Sequence, residues 1–226
     1  MRALIKLILV LASVFAATFL IAKLTGFISI EKIEYWLSTA KQIDTLLLAT
    51  CIVLILFSDL FIAVPTLTVI ILSGYFLGFT YGAITAITGV MLAGITGYLL
   101  SFLYGENLEK MIIKDHEQRL ALREQFDRFG VLMIIFSRAI PILPEVTACL
   151  SGLTKMPFIK FIYAWTVSSV PYVLIASYSG SISSVDNPKP AIFTAITLTV
   201  MMWVAWFIIK RTTTQKANKN PGVPTI

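Results

Sequence analysis

Asp59, Arg138 and Glu145 stand in stretches otherwise composed for a lipid bilayer. A guanidinium stays charged and offers several fixed donors, which suits a phosphate group; a carboxyl nearby can take up or release a proton. Arg138 lies in FSRAIPILPEVTACLSG, Phe136 to Gly152, together with Pro141, Pro144 and Glu145. An ionised Asp or Arg facing lipid costs about 2.5–3.5 kcal/mol on insertion scales, so such residues turn toward protein or toward a wet cavity. Each proline lacks an N–H and disfavours helix at the residue before it, so the backbone here leaves the helical ladder. At membrane depth that is tolerated only inside protein or beside water.

The same frame occurs earlier in the chain. Phe57 onward reads FSDLFIAVPTLTVIILSG, and one residue of gap places Phe57-Ser58 on Phe136-Ser137, Pro65 on Pro144, Thr68 on Thr147 and Leu72-Ser73-Gly74 on Leu150-Ser151-Gly152. Asp59 then shares its position with Arg138, each six residues before a proline. Facing breaks that bring Asp59 to Arg138 offset the cost of both charges, and intramembrane ionisable residues mark substrate and proton paths. Two plainer readings stand beside this one: a structural ion pair that locks the two segments together, or an Arg138 that reaches the interface from a shallow position. Glu145 follows Pro144 directly and has no acidic counterpart in the first copy; it fits either a site residue or a first-turn acid at a helix N-terminus.

Composition sets the elements that must position these residues. With 58% hydrophobic and 13% charged residues the chain is a membrane protein, and 226 residues leave room for only a handful of spans of about 20 residues each. Leu4 to Ala22 is expected as a retained first span, residues 1–28 with its flanks, and Ser29 to Ala40 as a short interfacial helix anchored by Tyr35 and Trp36. Residues 43–79 exceed one span and fit two half-depth helices; Tyr81 to Tyr104 is a cleaner span, rich in small residues. Gly74, Gly78 and Gly82 form a doubled G-x-x-x-G run into it. Gly105 to Arg128 predicts an amphipathic surface helix, residues 129–153 a second interrupted segment, and Phe158 to Tyr178 and Ala191 to Ile209 the last spans, before a basic tail from Lys210. Cys51 and Cys149 lie among aliphatic residues and read as reduced, packed thiols; His116, in the charged segment, reads as a surface histidine.

The expected fold is all-α and integral to the membrane: about four transmembrane helices plus two opposed re-entrant hairpins, near 43–79 and 129–153, related as an inverted repeat. In that layout 13 of the 18 Lys and Arg fall on the side of the termini and 4 on the other. The positive-inside rule then places both termini in the cytoplasm. The net charge of +6 is accounted for by this orientation and gives no reason to invoke nucleic acid.

On these residues the chain resembles the DedA and SNARE-associated Golgi protein family, whose shared module is the VTT domain. The resemblance is carried by Asp59 to Pro65, the glycine run SGYFLGFTYGAI, Gly89, Gly97 and Gly105, then FDRFGVLMIIFSRAIPILP and Ser151-Gly152, over about residues 40 to 180. It implies opposed re-entrant hairpins, lipid handling, a bacterial cytoplasmic membrane location, and functional roles for the acid and arginine here numbered Asp59 and Arg138. Bacterial relatives include undecaprenyl phosphate transporters and eukaryotic relatives include phospholipid scramblases. Where the DedA branch typically has a second arginine, this sequence has Pro144, a form closer to the SNARE-associated Golgi branch.

Three function classes follow. A transporter would flip or scramble a phosphate-bearing lipid, a phospholipid or a polyprenyl phosphate, with Arg138 drawing in the headgroup and Asp59 handling a proton; proton-coupled export of a small solute belongs to the same class. A non-transporting factor would shape the bilayer or scaffold partners through its amphipathic helices. An intramembrane enzyme has little material: G-x-S-x-G, H-E-x-x-H and a P-loop are absent, and no motif asks for a cofactor or metal. Pro65, Pro141, Pro144, Gly74, Gly78, Gly82 and Gly152 are expected to break or closely pack the helices around the site.

Overall fold

The structure, a computed structural model, describes residues 44–62, 64–112, 116–139 and 143–184, with residues 189–190, 192–194, 196–198, 200 and 204. The expected first span, the interfacial helix, the tail and Pro141 lie outside the described residues, and the last span lies largely outside them. The described chain forms helices α1 (Thr45–Ser58), α2 (Thr66–Ile112), α3 (His116–Phe136), a 3₁₀ turn (Ser137–Ala139), α4 (Leu143–Leu153) and α5 (Phe158–Ser181). No strand occurs among them.

Helices α1 and α5 are largely apolar around their whole circumference. In α1, Ile52 and Leu56 are buried while Leu46, Leu47, Leu54 and Ile55 are exposed. On α5, Ile159 and Tyr163 stand 80% and 70% exposed. A soluble domain does not leave apolar surface of this extent in water, whereas lipid solvates it at no cost. Two described helices, Thr66–Gly105 within α2 and Phe158–Ser181, are long and apolar enough to cross a bilayer.

The first of these is not straight. Gly78 has φ 75° and ψ 173°, a left-handed conformation that only glycine adopts without strain. The Ser73 hydroxyl donates to the carbonyl of Gly82 at 3.1 Å; nine residues of continuous helix would hold these groups about 13 Å apart. The chain therefore doubles back at Gly78, and residues 66–77 form a short arm against the long arm that follows. Residues 79–105 alone still reach about 40 Å, enough to span.

Close helix approaches fix the remaining geometry. A Cβ on Gly74 would enter the carbonyl of Ser177, and one on Gly180 the carbonyl of Ile71, so the short arm crosses α5 backbone to backbone. A Cβ on Gly152 would likewise enter the Tyr98 carbonyl, which seats α4 on the long arm of α2. Gly82 packs on the Ser73–Gly74 backbone. Of the glycines expected to break or pack helices, Gly78 breaks one and Gly74, Gly82 and Gly152 are contact points. The core between these crossings is aromatic: Tyr98 stacks on Phe161 at 4.7 Å and Phe161 lies 5.6 Å from Trp165.

Two expectations are corrected. The charged segment 105–128 is not a separate helix: α2 runs through it to Ile112, and α3 starts at His116 and continues without a break past Phe129 to Phe136. A change of polarity does not interrupt a hydrogen-bond ladder, and no proline stands there to do so. Cys51 is exposed rather than packed, because only one face of α1 meets protein; Cys149 is half-buried, and both are free thiols. The prolines mark helix starts: Pro65 directly precedes α2, and Pro144 is buried in the first turn of α4, where a missing N–H costs nothing. His116 is exposed, as expected.

Candidate functional site

Asp59 and Arg138 each lie at a break between two helices, and Glu145 in the first turn of α4, the position that favours an acid beside a helix N-terminus. All three line one cavity, together with Gly94, Trp165, Leu56 of α1 and Leu60 just past its end. Thus the structure brings together the two charges matched by the sequence frame and adds Glu145 to them. The cavity measures about 10 Å³, room for roughly one water molecule.

Asp59 is buried, and its own turn satisfies it: Oδ1 accepts the Val64 N–H at 2.7 Å and Oδ2 accepts the Thr66 hydroxyl at 2.5 Å. This carboxyl closes the loop that starts α2. Arg138 is held from another helix. Its guanidinium donates to the Ser169 hydroxyl at 2.9 Å and lies 5.2 Å and 5.6 Å from the ring centres of Trp165 and Tyr172. Its Nε is buried with no hydrogen-bond partner.

The Glu145 carboxyl lines the same cavity as Asp59 and Arg138. Neither carboxyl reaches the 4.0 Å ion-pair distance from Arg138. The three groups face a common space without closing it into a salt bridge, so the guanidinium keeps donor capacity directed at the cavity.

Thr66, Trp165, Ser169 and Tyr172 did not stand out in the sequence. For the α5 trio a signal was present: spacings of i, i+4 and i+7 put 165, 169 and 172 on one helical face. Gly94 belongs with them, since a Cβ there would enter the Trp165 indole.

A VTT-domain family model matches residues 64–182, more than half of the chain. The chain belongs to the VTT-domain family. Arg138 and Glu145 lie inside the match; Asp59 precedes it by five residues. Undecaprenyl phosphate transporter A of Bacillus subtilis (strain 168) is 24% identical over 166 residues, covering 66% of this chain and 83% of the relative. No solved structure matches. As a VTT-domain protein of the DedA family the chain is a membrane protein, and its apolar helices agree with that.

Proposed function

We propose that this VTT-domain protein is a transporter, not an enzyme, and that it moves a phosphate-bearing lipid between membrane leaflets by passing the headgroup across Arg138. The observation that carries the reading is a guanidinium held between Trp165 and Tyr172, with a buried unpaired Nε, facing a cavity shared with two carboxyls. A buried donor without a partner loses free energy, and a phosphate oxygen would recover it. The named activity of the Bacillus subtilis relative supports a lipid phosphate as cargo.

In this reading the two helix–break–helix units are opposed re-entrant hairpins, in inverted repeat, within a bacterial cytoplasmic membrane, with both termini in the cytoplasm. The cavity holds about one water, so the state described is closed, and a headgroup enters only when α4 or α5 moves from Arg138. Protons belong to the reading as well, because two carboxyls line the cavity that the headgroup must enter. A phosphate arriving at Arg138 adds negative charge beside that pair and makes exchange of a proton part of the cycle.

The test uses the full chain in vesicles with fluorescent polyprenyl phosphate or phospholipid in one leaflet, with and without a pH gradient. Wild type is expected to equilibrate the label between leaflets, and Arg138→Ala to lose that activity while keeping its helical content and melting temperature. Equal rates for wild type and Arg138→Ala on every lipid would sink the proposal.

A further inference from the structure

The two halves of α5 have different companions. Residues 158–169 are held by the long arm of α2 and by α3. Tyr98 stacks on Phe161, and the Trp165 indole N–H donates to the Val90 carbonyl at 3.3 Å. The Ser168 hydroxyl donates to the Ile135 carbonyl at 3.0 Å, and Lys160 pairs with Asp127 at 2.9 Å. Residues 172–181 meet the short arm instead. There Gly74 lies against the Ser177 carbonyl and Gly180 against that of Ile71, closer than a Cβ would allow. Phe79, just past the arm, makes an edge-to-face contact with Tyr178, ring centres 5.6 Å apart.

Pro171 stands where the companions change. It has no N–H for the Val167 carbonyl, and its ring crowds that carbonyl, so α5 is weakest at this turn. The short arm has its own weak point at the positive-φ reversal, Gly78, where an added Cβ would meet nothing within 4 Å. Between these two points, backbone packed directly on backbone leaves no side chain to repack, so residues 66–77 and 172–181 move as one body. The Ser73–Gly82 hydrogen bond braces the reversal close to its pivot, where a rotation displaces atoms least.

Both parts of this body reach the Arg138 cavity. Thr66, the first residue of the short arm, lines it and donates to Asp59; Tyr172, the first residue after the proline, holds its ring 5.6 Å from the guanidinium. The other partners of Arg138, Trp165 and Ser169, stand before the proline. The clamp on the guanidinium therefore straddles Pro171.

We propose that residues 66–77 and 172–181 form a gate that swings on Pro171 and Gly78. The swing draws Tyr172 off the guanidinium and Thr66 out of the cavity wall, while Trp165 and Ser169 keep Arg138 in place. A cavity with room for about one water then opens on the side of the gate. The inference deepens the transport reading and rests on it for what the gate admits; the swing itself is measured without transport.

Hydrogen exchange followed by mass spectrometry, on the full-length protein in lipid nanodiscs, tests the swing, and the vesicle assay tests its use. Amides of 66–77 and 172–181 are expected to exchange alike, about tenfold faster than those of 158–169. Pro171→Ala supplies the missing N–H and a strong helix former, so the melting temperature should rise. Exchange in that variant should slow about tenfold in 172–181 and equally in 66–77, which lies on another helix. Its transport rate should fall about tenfold despite the added stability, because the closed state is favoured. Pro171→Gly, a poor helix former, should keep most of the wild-type rate. Wild-type protection in 66–77 and 172–181 equal to that of 158–169, slowing confined to 172–181, or full transport by Pro171→Ala would each overturn the gate. Fast, matched exchange of the two segments in a wild type that moves no lipid would support the gate and overturn the transport reading.

Discussion

The break after α1 and the break after α3 are built on one sequence frame and put their charges to different uses. In both, a short helical arm has a proline at its start, Pro65 or Pro144, carries a glycine against a neighbouring carbonyl, Gly74 or Gly152, and is followed by a positive-φ residue, Gly78 or Lys155. But Asp59 is engaged by its own turn through Val64 and Thr66, whereas the partners of Arg138 among the described residues, Ser169, Trp165 and Tyr172, all stand on α5. A charge fixed locally shapes the backbone. One held from another element remains available and moves when that element moves.

The comparison breaks most visibly at Arg138. Replacing it with alanine removes two or more charge-assisted bonds to a phosphate, expected to lower lipid transport about a hundredfold. Arg138→Lys discriminates further: an ammonium keeps the charge but loses the planar fork that lies between Trp165 and Tyr172. Transport by Arg138→Lys is expected to stay well below wild type, with melting temperature unchanged. Full activity in the lysine variant would mean that charge alone suffices and that the aromatic clamp is irrelevant.

Asp59 should behave the opposite way. Asp59→Ala strips the partner from the half-buried Val64 N–H and leaves the Thr66 hydroxyl only the Val64 carbonyl at 3.3 Å, a loss of about 1–3 kcal/mol. Asp59→Asn keeps an oxygen for the N–H, and the Thr66 hydroxyl can rotate to accept from the new amide, so most of that stability should return. Thermal unfolding in detergent reads the difference. If the asparagine variant is stable and still transports at the wild-type rate, Asp59 is a turn residue only, and any proton carried at the site rests with Glu145.

Much of this was legible in advance, and the reason is local. Helix breaks, prolines at helix starts and the reversal at Gly78 are dictated by residues within a few positions, and a matched frame places two such units in one chain. The shared cavity was legible in part, because burying a lone charge in lipid is costly enough to require a partner. What sequence could not supply was assignment of partners across helices. That Asp59 would turn to Thr66, that Glu145 would approach Asp59, and that Arg138 would find Ser169 depends on the rotation of α4 and α5, set by distant contacts such as Gly152 on Tyr98 and Gly94 on Trp165. Polarity also misled: the charged run 105–128 marks a change of solvent, while α2 reaches into it as far as Ile112 and α3 leaves it without a break, from His116 to Phe136.

The smallest expected effect tests the finest part of the contrast. Ser169 is buried and gives Arg138 a neutral acceptor at 2.9 Å, the one side-chain hydrogen bond that ties the guanidinium to α5. Removing it in Ser169→Ala costs about 0.5–1.5 kcal/mol of positioning, not the charge itself, because the two aromatic rings remain. Transport should fall about two- to tenfold, and the half-saturating lipid concentration should rise more than the maximal rate falls, since a guanidinium free to turn away binds the headgroup less often. Ser169→Thr, which keeps a hydroxyl, should restore most of the loss. An equal loss in the alanine and threonine variants would assign the effect to packing of α5 and leave Arg138 held by its aromatic neighbours alone.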